Sequence, residues 1–236
     1  MAGTKPTSAM GAAALATSPW QSGFSGDPFG TGTAYGMFLT KRNHDIFAQV
    51  FGSQSGQIQT VYNAQACCTG YVPGYFNFMQ TNYGAVSGYI QAIAVAPYMM
   101  LSNPGDNSSV DTIFSDLNAV VAATGAGSLG GQMASALSVA NQFGMALVGY
   151  EAGQSVTGNT TTDCQAQSDP RMNTLYKNYF NLWANTVGKS SLVNHFSFAG
   201  ACASSGQWGT LTSQANGCSQ KWAALMSLTG GPACTP

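Results

Sequence analysis

From Asp169 to Val187 the chain reads DPRMNTLYKNYFNLWANTV, and its large apolar side chains, Met172, Leu175, Tyr176, Tyr179, Phe180 and Trp183, recur every three or four positions. That spacing lines one side of a helix. Asp169 ahead of Pro170 supplies a capping carboxylate and a proline suited to a first helical turn. The same period predicts a helix over 33–52, through Phe38, Ile46, Phe47 and Val50 and stopped at Gly52. It predicts further helices over 109–122, 129–143 and 219–228, and a short one near 80–89. In QIQTVYNAQ (57–65) the residues alternate and are rich in β-branched and aromatic types, which predicts a strand. AIAVAPYM (92–99), MALVGYE (145–151) and LVNHFSFA (192–199) are short apolar runs, the pattern of strands buried on both faces.

The order is one helix and then strand–helix four times. That alternation implies a parallel sheet with helices outside it. The fold class expected is α/β, a partial, half TIM-type (β/α) barrel of about four strands. Residues 1–33, rich in Gly, Ser and Thr, are expected as a loop-rich segment with at most one short helix, and residues 34–236 as the half-barrel domain. In such a fold the chemistry lies where strands end and loops begin. Asn63, Gln65, Tyr98, Glu151, His195 and Ser197 occupy those positions. Four strands do not close a barrel, which takes about eight. The open edges are therefore expected to pair in a homodimer or to be covered by residues 1–33.

Charge changes the picture most. Only 6% of the 236 residues are charged, against about 25% in an average domain, and the net charge is -1. Nothing here attracts nucleic acid or an anionic membrane, and no apolar run reaches the ~18–20 residues of a membrane span. Polarity comes from Ser, Thr, Asn, Gln and 29 glycines, a surface suited to neutral polymers. The six cysteines show no Cys-x-x-Cys spacing, and no glycine-rich phosphate loop follows a strand, so no metal or cofactor is expected. An even cysteine count without metal spacing implies disulfides and a secreted, extracellular protein. Cys202–Cys218 is the expected pair, with Cys67 and Cys68 taking different partners; buried free thiols are the other reading. Asn107 and Asn159 stand in Asn-x-Ser/Thr sequences and are expected glycan acceptors in a eukaryotic host.

Against this background Glu151, in ALVGYEAGQS, is the only glutamate of the chain. Taken in order, AIAVAPYM, ALVGYEAGQS, DPRMNTLYKNYFNLWANTV, LVNHFSFA and the WGTL and SQKWAAL segments resemble the C-terminal half of a family of secreted glycoside-hydrolase-like (β/α)8 barrels, within the retaining barrel glycosidases. The resemblance spans roughly residues 34–230, strand five through helix eight. It implies that Glu151, at the end of the seventh strand, is the nucleophile and that Tyr98 is the tyrosine beside it. It implies a β-linked polysaccharide or oligosaccharide as substrate. The Asn-Glu pair whose glutamate serves as acid/base in those enzymes is absent from the sequence.

Retaining hydrolysis uses two carboxyl groups about 5–5.5 Å apart, inverting hydrolysis a pair about 6.5–9.5 Å apart. Of the aspartates, Asp106 and Asp163 follow the strands that end at Tyr98 and Glu151 and so lie on the right side. Against the catalytic reading, Glu151 is a structural carboxylate, hydrogen-bonded by neighbouring amides or paired with Arg171 or Lys177. Trp208, in the loop after the last strand, either stacks on a sugar face or forms a hydrophobic lid, and Tyr98 and His195 are either site residues or core packing. A carbohydrate-binding protein without hydrolytic activity, or a remnant of a barrel, is the alternative function.

Overall fold

The computed structural model describes residues 28–103, 105, 107–203 and 207–236. Asp27 and Asp106, like the rest of the segment expected as loop up to residue 27, lie outside these. Helix α1 (Pro28–Phe51) begins earlier than the apolar pattern predicts, so the end of the expected loop segment is helical. There follow β1 (Val61–Ala64), α2 (Val72–Tyr83), β2 (Ala92–Val95), β3 (Met99–Met100), α3 (Val110–Ala122), α4 (Leu129–Gln142), β4 (Ala146–Ala152), β5 (Gln154–Ser155), α5 (Thr160–Ser168), α6 (Arg171–Thr186), β6 (Val193–His195) and α7 (Gln220–Thr229).

The elements start and stop where local chemistry requires. Ser109 caps α3 by accepting from Thr112 N, Asn159 caps α5 by accepting from Thr162 N, and Ser219 caps α7 by accepting from Trp222 N. Gly230, at φ 70°, ends α7 in the left-handed conformation. On α6 Met172, Leu175, Tyr176, Tyr179 and Trp183 of the predicted stripe are buried, and Phe180 is half-buried. The helix predicted near 80–89 forms earlier, over Val72–Tyr83, where Pro73 sits in the first turn and Val72, Tyr75, Phe76, Phe78 and Met79 are buried.

The sheet holds four parallel strands in the order β1-β2-β4-β6, flanked by helices. Strand order follows chain order, as in a (β/α) barrel and unlike a doubly wound sheet, where the order reverses. All four residues of β2 are buried. β1 and β6 are the outer strands; Val61 on β1 is 46% exposed whereas Val95 on β2 is fully buried. Met99 and Gln154 pair in a separate two-residue parallel ladder, β3 with β5. Among the described residues no helix is long and apolar enough to cross a membrane.

The chain divides into two compact units. The first contains residues up to Tyr62, Thr69–Ile93 and Val139–Ala146. Its core includes Met37, Val72, Met79, Ile90 and Phe76, whose ring meets those of Tyr62 and Phe143 edge-on, each at 5.1 Å. The second contains Asn63–Cys68, Ala94–Ser138 and Leu147–Pro236. Ile113, Phe114, Leu117, Leu175, Tyr179 and Trp183 are buried in it, and the Tyr179 hydroxyl donates to Pro97 O at 2.7 Å.

All six cysteines are paired, but not as expected. Cys202 joins Cys164 rather than Cys218, Cys218 joins Cys234, and Cys67 joins its neighbour Cys68. The cause is α5, a helix whose buried face is polar and which the apolar pattern does not predict. It carries Cys164 to the loop after β6. The expected glycan at Asn107 is also excluded from the folded chain. Asn107 is 4% exposed, and its Nδ2 donates to Asp163 Oδ1 at 2.9 Å.

Candidate active site

Glu151 lies near the end of β4, where that strand carries one residue more than its partner. Gly149 pairs with Val193 and Ala152 with His195, so three steps along β4 match two along β6. This bulge breaks the alternation of β4: Leu147, Gly149 and Ala152 are buried, while Tyr150 is exposed and Glu151 half-buried. An extra residue of this kind re-aims the side chains beside it. The Glu151 carboxylate is thereby left within reach of Tyr98, whose hydroxyl donates to Glu151 Oε2 at 3.1 Å. Burial first, and then the hydrogen bond and charge of Glu151, push the Tyr98 phenol well above its ordinary range. Tyr98 thus keeps its proton and is the donor in this hydrogen bond. The ion pair of Glu151 with Arg171 or Lys177 that the structural alternative offers does not form among the described residues. Arg171 bridges Asp111 at 2.7 Å and Asp169 at 2.8 Å instead.

The strand ends around this pair are tightly built. Met99 N donates to Gly153 O at 2.8 Å, locking the chain after Tyr98 to the chain after Glu151. Gly153, at φ 127°, has no room for a side chain: a Cβ there would stand 2.9 Å from His195 Nε2 and 3.2 Å from the Tyr176 hydroxyl. Gln154 is fully buried and satisfied, its Nε2 donating to Gln167 Oε1 at 3.1 Å and to Gln207 O at 2.7 Å. Trp208 Nε1 donates to Ser155 Oγ at 3.4 Å, and the Trp208 ring meets Phe196 edge-on at 6.0 Å. A cleft of about 470 Å³ opens beside Tyr98, lined also by Met100, Ser102, Ser128 and Gln132, without a charged side chain.

His195 belongs to a different set of contacts. The assignment that gives every group a partner has Thr210 Oγ1 donating to Ser197 O at 2.9 Å. His195 Nδ1–H then donates to Thr210 Oγ1 at 2.7 Å, and the Tyr176 hydroxyl donates to Nε2 at 3.0 Å. Tyr176 in turn accepts from Gln154 N at 3.4 Å. Burial, helped by the charge of Lys221, lowers the His195 pKa from 6.5 to about 3, so the imidazole is neutral in ordinary buffers. It braces the site rather than touching Glu151. The unfolded imidazole takes up a proton near pH 6.5 and the folded one only near 3, so the unfolded state binds more protons between them. The stability contributed by neutral His195 is full above about pH 6.5 and is lost as pH falls toward 3, by a few kcal/mol in order of magnitude. Denaturation midpoints measured from pH 3 to 8 should fall steeply on the acid side for the wild-type chain and more gently for His195→Gln.

Asn63 and Gln65 are exposed, and no hydrogen bond joins them to Glu151 or Tyr98 among the described residues. Each described aspartate is engaged elsewhere. Asp163 is fully buried and accepts from Asn107 Nδ2 and from Asn159 N at 3.1 Å; Asp116 accepts from Ser102 N at 2.6 Å; Asp45 pairs with Lys41; Asp111 and Asp169 hold Arg171. No cluster among the described residues has the donors for a metal ion. Gln154, Gln167, Gln207 and Lys221 carry much of the site's support and give no apolar periodicity by which to find them. Lys221 alone leaves a sequence signal, a cation in the first turn of a helix, where the macrodipole disfavours it. Comparison with protein-family models, curated proteins and solved structures found no match to this chain.

Proposed function

We propose that the ends of β2 and β4 form a saccharide site of glycoside-hydrolase type, acting on a β-linked polysaccharide, with Glu151 as the nucleophile. The observation that carries this reading is the 3.1 Å hydrogen bond from the Tyr98 hydroxyl to the sole glutamate of the chain, at the mouth of a parallel sheet. A carboxylate fixed by a permanent donor is oriented for attack on an anomeric carbon. The cleft beside Tyr98, lined by no charged side chain, suits a neutral ligand, and Trp208 and the exposed Phe196 offer ring faces to a sugar. Three disulfides support an oxidising, extracellular setting.

The engagement of every described aspartate favours a second reading, a binding site without an acid/base partner. A 2-fluoro β-glycoside with a dinitrophenolate leaving group separates the two, because this leaving group departs without a proton. The Glu151 carboxylate bonds to the anomeric carbon, the bond from that carbon to the phenolate oxygen breaks, and the phenolate leaves with the electron pair. Peptide mapping after exposure to gluco, manno and xylo forms should find one glycosyl group on Glu151. Retardation on polysaccharide gels without labelling would establish the binding-only reading. Neither labelling nor retardation would refute both.

A further inference from the structure

Lys221 is the second residue of α7, yet it is 2% exposed. A lysine is almost never buried so completely without a counter-charge. Its ammonium meets two main-chain carbonyls, donating to Gln207 O at 2.7 Å and to Gly209 O at 3.0 Å, and stands 5.8 Å over the Tyr176 ring. No carboxylate pairs with it among the described residues. The first turn of a helix is also the wrong place for a cation. Burial lowers its pKa to about 7, which measures the same cost.

The two carbonyls it holds lie on either side of Trp208. Gln207 O receives a second donor from Gln154 Nε2, and Gln154 is itself fixed by accepting from Val156 N at 2.8 Å. Gly209 is packed so closely that a Cβ would stand 2.4 Å from Gly200 N. With its backbone held before and after, Trp208 is laid over Ser155, on the strand end that follows Glu151.

We infer that Lys221 is a positioning residue for Trp208, clamping the carbonyls of residues 207 and 209 so that the indole is presented to saccharide at the Glu151 site. The inference rests on the saccharide reading for the role of Trp208, and on hydrogen-bond geometry alone for the clamp. The two parts are separable by 19F NMR of the full chain carrying 5-fluorotryptophan, combined with retardation in hydroxyethyl cellulose and galactomannan gels. Lys221→Met keeps the aliphatic stem and removes the donors. It should shift or broaden the Trp208 resonance, assigned with Trp208→Phe, while the resonance of core residue Trp183 stays in place. Retardation should fall about tenfold, as much as in Trp208→Ala, and the double variant should lose nothing more. Lys221→Gln, which still offers two N–H donors, should restore part of both signals, and it decides the matter by the same Trp208 resonance if the Met variant does not fold. An unmoved Trp208 resonance with Trp183 intact overturns the clamp, as do losses that add in the double variant. A moved Trp208 resonance, with Trp208→Ala leaving retardation unchanged, supports the clamp and overturns the saccharide role of Trp208.

Discussion

Glu151→Gln is expected to lower turnover of an activated aryl β-glycoside by about three orders of magnitude or more, and to abolish covalent labelling. The amide keeps the shape of the side chain and still accepts the 3.1 Å hydrogen bond from Tyr98, so the fold should survive. What it lacks is the negative charge and the nucleophilic oxygen. Tyr98→Phe provides the graded companion. It removes one hydrogen bond to a charged group, about 1.5–3 kcal/mol, and should cost roughly 10- to 100-fold while leaving Glu151 able to react. Steady-state rates for the three proteins, with thermal melts as a control on folding, check both figures. A Gln variant that retains near-normal turnover removes Glu151 from the chemistry.

Replacing Cys164 and Cys202 by serine should produce a large loss of stability without removing any residue that touches Glu151. The bond closes a loop with a sequence separation of 38, for which chain entropy alone implies about 4 kcal/mol. A whole domain is stable by about 5–15 kcal/mol. For a chain of this length the loss corresponds to a fall in melting temperature of roughly 8–16 °C. Cys164 lies on α5, whose buried residues are Thr162, Asp163, Ala166 and Gln167, so that helix has little apolar surface to hold it once the bond is gone. Proteolysis should therefore begin at residues 160–168 in the serine variant. Unchanged melting would mean that the polar network around Asp163 carries α5 by itself.

The elements legible in the sequence are those that apolar periodicity describes. β2 is buried throughout and α6 buries its marked stripe except for the half-buried Phe180, and the strand–helix alternation gives the parallel sheet. Glu151 and Tyr98 were legible as strand-end residues, and they meet. What the pattern does not carry is structure made by polar groups. α5 forms through the Asn159 cap and the buried Asp163, neither of which has an apolar period. Without α5 nothing brings Cys164 to Cys202, and Cys218, which shares one loop with Cys202, looks the natural partner. The bulge at Tyr150 and Glu151 is a mismatch between two strands, so neither strand alone reveals it. His195 ends a strand as expected, but the hydroxyls of Tyr176 and Thr210 capture both of its nitrogens.

The strand order β1-β2-β4-β6 has a consequence for how the chain is made. Each strand of the sheet pairs with the sheet strand synthesised just before it, and none must be threaded between two that are already joined. A ribosome adds about 5–20 residues each second, so the successive strands emerge seconds apart. Elementary collapse and helix formation take far less than a millisecond. The sheet can therefore grow from one side as the nascent chain lengthens, with the wait for each new strand set by translation. Cys164 is made before its partner and is held in reserve until Cys202 clears the exit tunnel. Glu151 and Tyr98 are both made before the last strand, but the bulge that aims the carboxylate at the phenol needs β6 as its partner, so the site is completed only when that strand arrives.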